Sequence, residues 1–200
     1  MGINLNAHGY AEAKTAIPGE FVKISPDGYV CTVVNAEIKY AKTGTPMLVL
    51  FLDVAEGDFK GYFSDATKRS KASNPDKRWE SGGILRQNIF NKNDSISPFF
   101  KGLLAVFAKD NPNVKVNYDD FEPACFFGAQ IGFVFAEEEY DFNGYAGVHV
   151  VPKIPKSVTD IREGNFKVPE LKRKPAQDST PKKDYDDLGG EPVEPEDTPF

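Results

Sequence analysis

Apolar and polar positions along the chain change character three times, and each change predicts a different kind of element. After a polar lead with Pro18-Gly19, the stretch Tyr29 to Tyr40 is rich in β-branched and aromatic residues behind the turn Pro26-Asp27-Gly28, which predicts a first strand. Lys42-Thr43-Gly44-Thr45 is a tight connection. Met47 to Val54 is almost continuously apolar, as expected of a second strand buried on both faces and paired with the first. Beyond the turn Glu56-Gly57-Asp58, the run Phe59-Lys60-Gly61-Tyr62-Phe63 predicts a third strand, its glycine marking a bulge or a close backbone approach.

The pattern then breaks. Ser64 to Gly83 is polar and basic, without periodicity, and contains one exposed-looking aromatic, Trp79; it predicts a long loop of the kind that is usually functional. Ile96, Phe99, Phe100, Leu103, Leu104 and Phe107 recur at helical spacing, with Ser97 as the cap and Pro98 at the first helical position, so Ser95 to Lys109 predicts a helix ending near Asn111-Pro112. Ile131 to Phe135 and Tyr145 to Val151 flank the turn-like Asp141-Phe142-Asn143-Gly144 and predict a closing hairpin of strands four and five.

Three strands, a helix and two strands is the order of an OB-type fold, a five-stranded Greek-key barrel plugged at one end by the helix between strands three and four. Small SH3-like barrels and truncated sandwiches share such strand counts. The expected fold class is therefore mainly β, with an OB-type domain over residues 20–171 after a lead at 1–19. Val158 to Leu171 is expected to pack on the barrel as an extension. From Lys172 onward prolines, charges and glycines replace hydrophobes, and such a segment cannot bury enough apolar surface to offset its ordering entropy. Residues 172–200 are expected to be a disordered acidic tail.

Charge alters the functional picture. The chain has a formal net charge of −6. Residues 1–174 hold 22 Lys and Arg against 22 Asp and Glu, so the whole excess sits in the tail. An acidic chain would argue against nucleic acid if the charge were evenly spread, because phosphates must meet Lys and Arg. A separately neutral body removes that objection.

Cys31 and Cys125 are far apart in apolar settings and read as buried free thiols of a reducing compartment. With only His8 and His149 beside them, no structural metal site is expected, and no sequence motif calls for a cofactor. Met1 to Asn6 lacks the features of a signal peptide or a myristoylation motif, and no apolar stretch approaches membrane-spanning length. A soluble cytoplasmic protein is expected.

Between Lys60 and Lys92 there are eight basic residues against three acidic ones. Together with the first hairpin they form a basic and aromatic set: Lys39, Tyr40, Lys42, Phe59, Lys60, Tyr62, Lys68, Arg69, Lys71, Lys77, Arg78, Trp79 and Arg86. Cations that track phosphates and aromatic faces on which unpaired bases stack are what single-stranded nucleic acid requires. The competing reading makes Phe59, Tyr62 and Phe63 ordinary core and the charges an ordinary solvated loop.

The tail closes on Glu196, Asp197, Thr198, Pro199 and Phe200, and an apolar aromatic at the last position does nothing for solubility. A partner with a basic rim, an apolar pocket for Phe200 and a cation for the α-carboxylate could read it. This tip resembles that of bacterial single-stranded DNA-binding proteins, which end in Asp residues followed by a small or apolar residue and Pro-Phe. It departs from them in spacing its acids with Gly189-Gly190-Glu191-Pro192 and in having Thr198 where an apolar residue is common. Gly28 to Val33, Lys42 to Met47 and Ile161 to Glu170 look like segments of replication proteins from phages of Gram-positive bacteria, over roughly residues 20–171. The resemblance implies a non-enzymatic protein that coats single-stranded DNA, as a monomer or homo-oligomer in the host bacterial cytoplasm. It also implies that the tip recruits replication, recombination or repair proteins.

Two other classes stay open. Glu137, Glu139 and Asp141 could serve a metal-dependent nuclease, although Glu137-Glu138-Glu139 cannot all face one ion because consecutive strand residues point to opposite faces. An adaptor whose tail imitates a host tail is the other. No nucleophile–base pairing or phosphate-cradling motif is visible.

Overall fold

In the computed structural model, residues 22–142 and 145–171 are described. The sequence pattern places four of the five strands. Strands β1 (Gly28–Tyr40) and β2 (Pro46–Val54) form the first hairpin, and β4 (Gln130–Phe142) and β5 (Tyr145–Lys156) form the last. Asn143-Gly144 of the expected final turn lies outside the described residues, as do the lead 1–19 and the tail 172–200.

The third strand is not where the pattern puts it. Phe59 to Phe63 is a turn that enters helix α1 (Tyr62–Ser73), and β3 is Ile84–Asn88. Asp53, at the end of β2, drives this outcome. Its Oδ1 accepts from the backbone N–H groups of Phe63 and Ser64 at 3.0 and 3.3 Å, and Ser64 Oγ donates to its Oδ2. A carboxylate from another element thus satisfies the first-turn donors that no side chain of the helix itself caps. Gly61 precedes the helix at φ 76°, a conformation that costs glycine nothing.

Helix α2 (Pro98–Asp110) matches its expected range and buries Phe100, Leu103, Leu104 and Phe107. Each such burial contributes about 1.5–3 kcal/mol. The rest of the expected apolar face departs from the pattern: Phe99 is 76% exposed and Ile96 51%. Ser97 occupies the cap position, but its side chain makes no capping hydrogen bond.

The strands form one antiparallel sheet in the order β3-β2-β1-β4-β5. Strand β1 runs through its centre, pairing with β4 over its first half and with β2 over nearly its whole length. A register shift between Val33 and Asn35 bulges β1. Before the bulge Tyr29, Cys31 and Val33 face the core; after it Ala36 and Ile38 do, opposite Leu50 and Leu48. One extra residue therefore exchanges the faces of everything that follows. The inner face packs Leu48, Leu50, Leu52, Leu85, Ile131, Phe133 and Phe135 against α2, Phe63 and Phe126.

A second apolar cluster lies on the other side of β1 and β4, where Val30 and Val134 meet Ile161, Val158, Phe166 and Val168. These belong to helix α3 (Val158–Arg162) and the segment after it, the expected extension. The packing is close: a Cβ on Gly132 would stand 2.6 Å from Ile161 Cγ1 and 2.7 Å from Lys156 O. Arg162 adds a two-pronged ion pair, donating from Nε and Nη2 to the Glu56 carboxylate at 3.0 Å each. The outer surface of β1's first half is thereby covered. On the same side of β1's second half, β2 and β3, Val49 is buried, Glu37, Met47, Phe51 and Ile84 are half-buried, and Lys39 and Arg86 are exposed.

Candidate nucleic-acid interface

The bulge in β1 creates the candidate site. By register, residues directly opposite one another share a face, and three rows cross β1, β2 and β3 on the outer side. Asn35, Phe51 and Ile84 form the first, Glu37, Val49 and Arg86 the second, and Lys39, Met47 and Asn88 the third. Without the bulge Glu37 and Lys39 would share the core-facing side of Val33. Half-buried Met47 and Phe51, with fully buried Val49 between them, are thus flanked by Lys39 on one strand and Arg86 on the other.

The charges on this face are arranged unequally. Lys39 Nζ stands 2.6 Å from Glu37 Oε1 and 5.8 Å from the centre of the Phe51 ring. The Arg86 side chain is exposed and forms no hydrogen bond or ion pair among the described residues. Tyr40 is 72% exposed beside the turn that holds Lys42, where Ala41 N–H donates to Thr45 O and Gly44 N–H to Ala41 O, each at 2.9 Å.

The remaining expected cations sit at the opposite end of β2. Strand β2 is nine residues long, which puts Pro46 about 27 Å from Val54. Helix α1 follows that far end, burying Phe63 and Thr67 and leaving Lys68, Arg69 and Lys71 exposed on its other side. Lys60, Lys77 and Arg78 are exposed on the flanking turns, and Lys68 Nζ lies 3.7 Å from Asp65. The cations therefore lie beyond both ends of β2.

Three expected stacking aromatics prove to be structural at least in part. Phe59 meets Tyr29 and Tyr62 edge-on at 5.8 and 5.7 Å, and Tyr62 meets Phe63 at 5.1 Å. Trp79 is not the free-standing ring its polar surroundings suggest. It is half-buried against the core, and its Nε1–H donates to Leu52 O at 3.3 Å. Phe51 is the residue the pattern missed. Within an unbroken apolar run nothing marks one phenylalanine as facing outward; the alternation of β2, with Leu48, Leu50 and Leu52 in the core, decides it.

Other candidate chemistry is spread out. Glu137 and Glu139 stand opposite Val150 and Val148, while Glu138 stands opposite His149 on the other face. Lys153 Nζ lies 2.8 Å from Glu138, whose carboxyl the ammonium holds below the ordinary glutamate range. Among the described residues no group of three His, Cys, Asp or Glu is placed to hold a metal ion; the Asp141 side chain lies outside them. Cys31 and Cys125 are unpaired, Cys31 fully buried and Cys125 half-buried, and burial pushes both thiols up, so neither is poised as a thiolate. Among the described residues no helix is long and apolar enough to cross a membrane. The tip residues Glu196 to Phe200 lie outside the described residues. In comparisons with known proteins, no family model and no curated sequence matches this chain.

Proposed function

We propose that this chain binds single-stranded DNA, without strong sequence preference, across the outer face of β1, β2 and β3. One observation carries the reading: β1's bulge turns Lys39 outward beside Phe51 while Arg86 stands unpaired two strands away. Half-buried Phe51 offers a stacking surface to a base, and cations on either side meet the phosphates. The groups at the two ends of β2 extend the same arrangement.

An OB-type barrel is the fold that goes with this reading, and three features support it. A long bulged β1 pairs with both β2 and β4, α2 lies between β3 and β4, and the turn before β3 approaches β5. A Cβ on Gly82 would stand 3.0 Å from Val150 O. In such barrels the strand 2–3 face and the adjoining loops take up oligonucleotides. The tail tip, Glu196 to Phe200, is the proposed docking point for replication, recombination or repair proteins, and the cytoplasm of a bacterial host the proposed setting. No enzymatic step is proposed.

Titration of fluorescent oligothymidine against variants tests the assignment. Phe51→Ala should weaken binding by the worth of one base stack, about 1–3 kcal/mol. Arg86→Gln should weaken it and shallow the salt dependence by about 0.7 in log–log slope, one phosphate contact. Full affinity in both variants would exclude this face. Deleting Phe200 should leave DNA affinity intact and abolish partner capture.

A further inference from the structure

Lys39 is held in an arrangement that does not suit the proposed ligand, and the residue that holds it is Glu37. In the sheet Lys39 lies opposite Met47, whereas Phe51 lies opposite Asn35. Four residues of extended strand separate Lys39 from Asn35, about 13 Å. For its ammonium to reach 5.8 Å from the Phe51 ring centre, the side chain must fold back along β1, over the intervening Glu37. Glu37 Oε1, itself enclosed, meets that ammonium at 2.6 Å. The carboxylate therefore occupies the position a phosphate oxygen would take on Lys39, and it holds the lysine towards the ring on which a base would stack.

We propose that Glu37 is an internal competitor for single-stranded DNA. It pairs with Lys39 and holds the lysine near Phe51 until a phosphate takes the ammonium. This inference deepens the DNA-binding reading and rests on it. It makes Glu37 a positioning residue that weakens binding, the reverse of what any other side chain on this face is expected to do.

The test is a double-mutant cycle of Glu37→Gln and Lys39→Gln in the full chain, read by oligothymidine affinity at one low salt concentration. Glutamine keeps the size of Glu37 and removes its charge. Glu37→Gln should bind about threefold tighter or more, the scale of one exposed ion pair released. The gain should vanish when Lys39 is also replaced, so that the double variant binds no better than Lys39→Gln alone. Unchanged or weaker binding by Glu37→Gln would overturn the proposal. So would an equal gain with Lys39 already replaced, which would mean that only general repulsion had been relieved. Failure of all four proteins to bind would instead remove the DNA-binding reading, and the competitor role with it.

Discussion

At the scale of single residues, Asp53 has the widest structural consequence. The residue is 9% exposed, and its carboxylate accepts from Val54, Phe63 and Ser64 backbone groups and from the Ser64 hydroxyl. Replacing it with alanine leaves those donors without their partner at the start of α1. A loss of about 1–3 kcal/mol in global stability is expected, measured as a lowered denaturant midpoint. If the midpoint were unchanged, the cap would be incidental. Gly132→Ala makes a second, independent point: the added methyl collides with Ile161 and Lys156 O, so α3 must shift. Hydrogen exchange should then rise in Val158 to Arg162 while β1 and β2 stay protected. These two residues also show what the sequence conceals, because neither an aspartate in an apolar run nor a glycine in a strand announces the element it will meet.

At the scale of elements, legibility follows how local the cause is. β1, β2, β4, β5 and α2 are readable because their burial pattern is written in their own residues. Helix α1 is not: its buried residues are Phe63 and Thr67, its cap comes from β2, and Phe63 is fixed by stacking on Phe135 at 6.0 Å. Strand β3 is equally hidden, since Ile84-Leu85-Arg86-Gln87-Asn88 carries little β signal and is defined by its partner β2. The closing hairpin supports a pH prediction. Lys153 lowers the Glu138 carboxyl below its ordinary value, chiefly through their hydrogen bond. A group lowered in the folded state lends stability above its unfolded value and loses it as pH falls through the folded one. Stability should therefore decline on acidification below the ordinary glutamate range, and Lys153→Met should remove part of that decline. An unaltered pH profile in Lys153→Met would show that the pair does not contribute.

At the scale of the whole molecule, charge and coverage divide the surface. Helix α3 and the residues after it seal the outer side of β1's first half, held by Ile161, Phe166 and the Arg162–Glu56 pair. On the same side of β1's second half, β2 and β3, Lys39 and Arg86 are exposed and Phe51 is half-buried, and β1's bulge sets which of its own residues join that face. The basic set was legible as a list of residues. Its arrangement was not, because the swap of faces after Val33 and the packing of Phe59, Tyr62 and Trp79 into the core edge depend on tertiary contacts. The most direct test of the central claim is a titration of the full chain with labelled oligothymidine and with duplex of equal length, each at two salt concentrations. Tighter binding to the single strand, weakening steeply as salt rises, is the expected result. Equal affinity for both forms, or no binding at low salt, would contradict it.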